Sequence, residues 1–196
     1  MLENHALSIE ALSRWRKAER ARLIAARLAV GAAALAAWRR SIDGHLETLF
    51  VDSKATCVAF CWPIKNEYDA RHFMKTLRER GALTALPVVV APKQPLVFRE
   101  WRPGIELAKG PLDIPYPVGS AEVAPDALLL PVVGFDARCY RLGYGGGYFD
   151  RTLANLAPRL LAIGVGYELS RIATIHPQAW DVPLDRIVTE AGLQRR

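Results

Sequence analysis

"ALLLPVVGFDARCYRLGYGGGYFDR", residues 127–151, opens with nine uncharged residues and closes with a glycine run followed by Asp150 and Arg151. An apolar stretch over 127–135 without polar alternation is what a strand covered on both faces requires, and such strands belong to largely parallel sheets. The glycines at 143, 145, 146 and 147 favour neither helix nor strand, because glycine loses the most backbone entropy on ordering. They predict a loop that needs positive φ angles or lets a ligand approach the backbone closely. The segment therefore reads as a strand, a turn through 136–140, a bare loop and a helix over 147–156.

The same alternation extends outward. "TCVAFCW" (56–62), "ALPVVVAP" (85–92), "PLVFREW" (95–101), "LLAIGVGY" (160–167) and a short last run "RIVTE" (186–190) read as strands. Asp69 is placed to cap a helix over 70–80 that Gly81 ends. Residues 103–125 hold five prolines and three glycines, which predicts a long loop with little regular structure. Strands alternating with helices predict an α/β fold, a three-layer sandwich with a mostly parallel central sheet. At 196 residues, the chain is expected to form one domain over 1–196.

Residues 6 to about 40 are rich in Ala, Leu and Arg without proline, and predict one long helix or two with a break near Gly31. The net charge of +6 is concentrated there. Arg14 to Arg40 contribute +7, which leaves the rest of the chain at about −1. Arg16, Arg20 and Arg27 share a roughly 40° stripe with Leu12 and Leu23. Pattern alone favours a snorkelling surface stripe. Buried, these arginines would require an anionic partner. A nucleic-acid groove is a third reading, but no recognised nucleic-acid signature accompanies the helix.

Other classes are excluded more simply. Three cysteines without a CxxC pair, and histidines at 5, 45, 72 and 176, make no zinc spacing. With no apolar leader and no apolar run near twenty residues, the expectation is a cytoplasmic protein that does not enter membranes. No serine-nucleophile motif is evident. The glycine loop lacks the P-loop and GxGxxG spacings. What remains is either a plain turn or bare N–H groups at a helix start, which suit an anion. Arg141 can add a bidentate phosphate contact. Asp150 fits equally a charge on the helix dipole or a magnesium ligand beside phosphate. Glu67, just beyond a strand's C-terminal end, is either an exposed loop acid or an acceptor for the N–H groups of a polar heterocycle.

The assembled pattern resembles the 5-formyltetrahydrofolate cyclo-ligase family, also called methenyltetrahydrofolate synthetases. "LLLPVVGFDARCYRLGYGGGYFDRTL" (128–153) is similar to its signature, "WPIKNEYDAR" (62–71) to its W-P-x-x-x-E-x-D loop, and "WDVPLDRIVTEAG" (180–192) to its C-terminal segment. The arginine helix resembles its basic first helix. Arg16 stands where lysine is usual, Cys139 where glycine is, and Trp180 where histidine is. The resemblance implies a fold like that of sugar-phosphate isomerases. It also implies ATP- and Mg²⁺-dependent closure of 5-formyltetrahydrofolate to 5,10-methenyltetrahydrofolate, with release of ADP and phosphate.

It implies in turn that Arg16, Arg20, Arg141, Leu142, Gly143, Tyr144, Gly145, Gly146, Gly147, Tyr148 and Phe149 line the ATP site. Arg20 and Arg141 would act in catalysis, Glu67 and Tyr148 would hold the reduced formylfolate, and Asp150 and Asp181 would hold Mg²⁺. A monomer without a nucleic-acid partner is expected. A same-fold enzyme with another small-molecule substrate, and a nucleic-acid module, stand as alternatives.

Overall fold

The computed structural model describes residues 7–51, 53–156 and 160–196; residue 6, where the sequence starts the first helix, and His5 lie outside them. Helix α1 (Ile9–Leu28) begins at Ser8, whose hydroxyl accepts the Ala11 N–H at 3.2 Å, satisfying one of the unpaired donors of a first turn. Gly31, extended at φ −68° and ψ 151°, starts α2 (Ala32–Phe50). The two-helix alternative is thus the one adopted, and the axis bends by 103° at the break. Among the described residues no single helix is long and apolar enough to cross a membrane.

The strands follow as β1 (Cys57–Phe60), β2 (Leu83–Val88), β3 (Val97–Glu100), β4 (Leu107–Lys109), β5 (Pro115–Pro117), β6 (Ala127–Pro131), β7 (Gly134–Phe135), β8 (Arg141–Leu142), β9 (Leu161–Val165), β10 (Arg186–Thr189) and β11 (Gly192–Arg195). Helix α3 (Arg71–Glu79) follows β1, and α4 (Tyr148–Asn155) follows β8. Seven strands form the main sheet in the order β11-β10-β9-β6-β1-β2-β3. The inner five run parallel, and β11 and β3 close the edges antiparallel. The expected α/β sandwich with a mostly parallel sheet is what forms.

Side chains alternate across the sheet. Leu129 and Ile163 join Ile42 and Leu46 of α2 and Phe73 and Met74 of α3 on one face. Leu128, Leu130 and Ile187 meet Phe149 and Leu153 of α4 on the other. Helix α1 belongs to neither layer. Its Leu23, 1% exposed, packs with Val133, Leu142 and Ile175 beyond the end of the sheet.

Three sequence expectations need correction. Residues 127–135 are not one strand: β6 stops at Pro131, and Gly134–Phe135 pair instead with Arg141–Leu142 in a separate hairpin. A Cβ at Gly134 would lie 2.8 Å from the Leu23 side chain, so α1 sits where the strand would otherwise continue. Within 103–125, β4 and β5 pair as a small hairpin. The run 186–190 is not the last strand, because β11 pairs with it from Thr189↔Gly192 to Arg186↔Arg195. An edge strand half open to water carries no continuous apolar signal.

The order places the site. From β1 the chain goes to β2 on one side, and later returns to β6 on the other. The connections leaving β1 and β6 thus diverge around a crevice at the C-terminal edge of the sheet, where open α/β sheets bind ligands.

Leu23→Ala is expected to cost about 2–5 kcal/mol in urea denaturation, because a buried leucine leaves a cavity. Leu28→Ala on the exposed side of the same helix should change stability by no more than about 0.5 kcal/mol.

Candidate functional site at the sheet's switch point

The connection after β1 brings Glu67 back toward the crevice by a tight turn. Lys65 and Asn66 both take left-handed backbone, at φ 49° and 58°. The Glu67 N–H donates to the Ile64 carbonyl at 3.0 Å, and the Ile64 N–H donates to Glu67 Oε2 at 3.0 Å. Glu67 Oε1 accepts the Tyr144 hydroxyl at 2.6 Å. Arg27 Nη2 donates to that hydroxyl at 2.9 Å and lies 3.6 Å from Glu67 Oε1.

The Arg27 and Glu67 side chains are each only 3% exposed, so Glu67 is no surface loop acid. Burial raises its carboxyl above the ordinary range, against the pull of the Tyr144 and Ile64 hydrogen bonds and the Arg27 and Lys65 charges. Burial and the Glu67 charge push the Tyr144 phenol up. Cys61, just after β1, feels both Glu67 and Arg141, and burial holds its thiol well above the usual range. A thiol held protonated is a poor nucleophile.

The connection after β6 supplies the glycine loop. Asp136, 1% exposed, organises its turn: Oδ1 accepts the Arg138 and Tyr140 N–H groups, and Oδ2 accepts that of Ile175. The sequence marked this turn but assigned Asp136 no role. A short side chain that bonds its own backbone two residues on was the available signal. Gly145, at φ +94°, faces the Arg20 guanidinium so closely that a Cβ would stand 3.2 Å from Nη2. Gly147, at φ 66°, opens α4. Gly145 and Gly146 are exposed, as a backbone platform for a ligand must be.

The arginine stripe of α1 points inward, which overturns the surface reading. Arg20 Nε donates to the Gly143 carbonyl at 2.7 Å, and burial, then the Arg16 charge, lower its pKa. Arg16 grips Asp181 at 2.6 and 3.2 Å and the carbonyls of Ile175 and His176. Arg27 is committed to Lys65 and Tyr144. Between them the three arginines reach the 175–181 segment, the glycine loop and the 64–67 turn.

Arg141 is enclosed by its own fold. Its Nη1 donates to the Val182 carbonyl at 3.1 Å, and its Nη2 pairs with Asp150 at 3.0 Å. Asp150 Oδ1 also accepts the Val182 N–H at 3.1 Å. Asp150 is therefore neither a bare helix-start charge nor an isolated acid. Among the residues expected at ATP, the Leu142 side chain is core beside Leu23, which leaves only its backbone for a ligand. Phe149 packs toward the sheet, and the Tyr148 ring lies under the Arg151 guanidinium at 5.1 Å.

A separate cleft of about 600 Å³ lies between Pro87–Val90, Arg99 and the β4–β5 hairpin with Ile114 and Tyr116. It shares none of these residues. It opens beside the end of β2, which runs parallel to β1, so both lie along one edge of the sheet. The sequence did not reveal it, because one wall, from Lys109 to Tyr116, comes from a segment that read as featureless loop.

Fold and site together define an α/β protein whose glycine loop, arginines and carboxylates converge where two parallel strands diverge. The model of the 5-formyltetrahydrofolate cyclo-ligase family matches residues 12–190, and the chain belongs to that family. It is 31% identical over 142 residues to the 5-formyltetrahydrofolate cyclo-ligase of Escherichia coli (strain K12), covering 69% of this chain and 78% of that one. It is 28% identical over 152 residues to that of Haemophilus influenzae, covering 74% and 81%. The NMR structure of the Aquifex aeolicus 5,10-methenyltetrahydrofolate synthetase superposes with a TM-score of 0.79 at 27% identity, covering 92% of both chains. The Mycoplasma pneumoniae 5,10-methenyltetrahydrofolate synthetase has the same fold at 24% identity and a TM-score of 0.74, covering 89% and 98%.

Asp150→Asn leaves the Arg141 guanidinium, 4% exposed, without its counter-charge. It is expected to lower stability by about 1–3 kcal/mol, measured by thermal or urea unfolding. Gly145→Ala should strain the loop and displace Arg20, weakening nucleotide binding in calorimetry. Unchanged affinity with a lower Tm would mark the loop as a turn alone.

Proposed function

We propose that this chain closes 5-formyltetrahydrofolate to 5,10-methenyltetrahydrofolate at the expense of ATP, with release of ADP and phosphate. The observation that carries the reading is the meeting of Glu67, Tyr144, Arg20 and the exposed glycines at one crevice, in a chain whose family model spans nearly its whole length. A formamide oxygen is a poor leaving group, and phosphorylation makes it a good one. The protein then has to hold two substrates in register and balance moving charge. The folate's own N10 attacks the formyl carbon as phosphate leaves, so no protein nucleophile is needed, in keeping with the protonated Cys61.

In this reading the backbone of Gly145 and Gly146 and the Arg20 guanidinium receive the phosphates, with Arg16 and Arg141 beside them. Arg20 and Arg141 balance charge as it shifts. Glu67 accepts hydrogen bonds from the N–H groups of the pterin ring, next to Tyr148, and the apolar cleft along the same edge has room for the rest of a long substrate. Among the described residues no three or more His, Cys, Asp or Glu side chains form a ready cation cage. Asp150 Oδ1 accepts the Val182 N–H, next in sequence to Asp181, and both carboxylates act on the Arg141 charge. Two carboxylates fit magnesium, which arrives with phosphate oxygens and water. These two aspartates would hold it, and its role would be to neutralise phosphate charge. The nucleic-acid reading loses its support, since the arginines it needs face inward. We place the enzyme in the cytoplasm as a monomer, on the free cysteines and the small-molecule chemistry.

The direct test is incubation with ATP, Mg²⁺ and 5-formyltetrahydrofolate while methenyl absorbance is followed; no absorbance change would end the proposal. Arg20→Ala should lower kcat/KM about ten- to a hundredfold, the effect of losing one charge-assisted contact. Arg22, 60% exposed and paired only with Glu19 on its own helix, is the control, and Arg22→Ala should leave kinetics unchanged. Equal small effects would remove Arg20 from the site.

A further inference from the structure

Lys65 and Asn66 are consecutive non-glycine residues in left-handed backbone, a conformation that asparagine visits readily but that is strained for lysine. Such a turn persists only when its surroundings hold it. The group that holds it is Arg27. Its Nε donates to the Lys65 carbonyl at 2.8 Å, inside the strained turn. Its Nη2 donates to the Tyr144 hydroxyl, which in turn donates to Glu67. One planar fork thus grips both the turn that delivers Glu67 and the hydroxyl that orients its carboxylate. A lysine has the charge but not the two fixed donor directions. With 2% of the residue exposed and its Nε and Nη2 committed to the Lys65 carbonyl and the Tyr144 hydroxyl, Arg27 is not placed as a phosphate ligand in the manner of Arg20.

We propose that Arg27 is the positioning residue of the folate site, acting through the 64–67 turn and Tyr144 to aim the Glu67 carboxylate while touching neither substrate. The inference rests on the reading of Glu67 as the acceptor for the pterin ring. The groups that face Glu67 are Arg27 from α1, Tyr144 from the glycine loop, Lys65 and Cys61 from its own connection, and Tyr167 from beyond β9. The two cations and the Tyr144 hydrogen bond favour the ionised carboxylate, while burial opposes it. Loss of the Arg27 charge therefore moves the Glu67 midpoint further up. A protonated Glu67 no longer accepts from ring N–H groups with both oxygens, so folate binding fails first at the acid end.

The experiment compares Arg27→Leu, Arg27→Lys, Glu67→Gln and the double variant Arg27→Leu/Glu67→Gln in the full chain. Arg27→Leu should raise the KM for 5-formyltetrahydrofolate about ten- to a hundredfold. The acid limb of its pH profile should shift to higher pH, and ATP affinity measured without folate should stay unchanged. Arg27→Lys, which keeps the charge, should keep the pH profile near that of the original protein while still raising KM, and it serves if Arg27→Leu does not fold. The double variant should be no worse than Glu67→Gln alone. Additive losses, or ATP affinity reduced as much as by Arg20→Ala, would overturn the proposal. Carbon-13 titration of the Glu67 carboxyl needs no substrate: an unmoved midpoint in Arg27→Leu also overturns it. If the original protein does not turn over the folate, the functional reading falls separately, and the titration still decides the role of Arg27.

Discussion

A guanidinium withdrawn from water destabilises a fold unless carbonyls and carboxylates replace its hydration. Helix α1 places three along one inward stripe, and together they hold three irregular segments, the 175–181 stretch, the glycine loop and the 64–67 turn. Arg16 binds the 175–181 segment, Arg20 the Gly143 carbonyl, and Arg27 the Lys65 carbonyl and Tyr144. The helix lies outside the sandwich and serves as a strap across irregular segments that the sheet hydrogen bonds do not reach. Arg16, Arg20 and Arg27 serve that task, while Arg14, Lys17 and Arg40 remain exposed and Arg22 pairs with Glu19 on its own helix.

The sheet and the strap divide the work. Five parallel strands give a rigid edge, and the reversal of strand order between β1 and β6 opens the crevice. Neither connection at that crevice is regular. The one after β1 depends on a left-handed turn, and the one after β6 on Asp136 and on glycine. In each case a buried side chain supplies the hydrogen bonds that regular structure would have supplied. A ligand's phosphates would meet arginines that already hold carboxylates, Arg16 with Asp181 and Arg141 with Asp150. Arg20 instead donates to the Gly143 carbonyl and has no carboxylate partner among the described residues, so its charge remains for an anion.

Local chemistry was legible wherever short-range rules apply. The apolar runs at 56–62, 85–92, 127–135 and 160–167 marked inner strands, though not their ends, because burial on both faces leaves few polar positions. Gly31 marked the break between α1 and α2, and the glycines before Tyr148 marked a loop leading into α4. The antiparallel edge β11 escaped notice because its outer positions carry no apolar pattern. The β4–β5 hairpin escaped because prolines conceal short strands.

Which residues were candidates for a site was visible from residue type and from family likeness: Glu67, Arg16, Arg20, Arg141, Asp150 and the glycines. How they pair was not. A stripe of Arg16, Arg20 and Arg27 on one helix face has the same spacing whether it meets water or carboxylates. Only the packing of Leu23 against Val133, Leu142 and Ile175 turns that stripe inward. Likewise Arg27 reaches Lys65 across 38 positions and Tyr144 across 117, separations over which sequence carries no geometric information. The sequence by itself determined the inner strands, the bare loop and the charged residue types, because those follow from burial and backbone entropy within a few residues. The tertiary structure alone decided the partner of each charge, because a buried ion is stabilised only by what folding brings beside it.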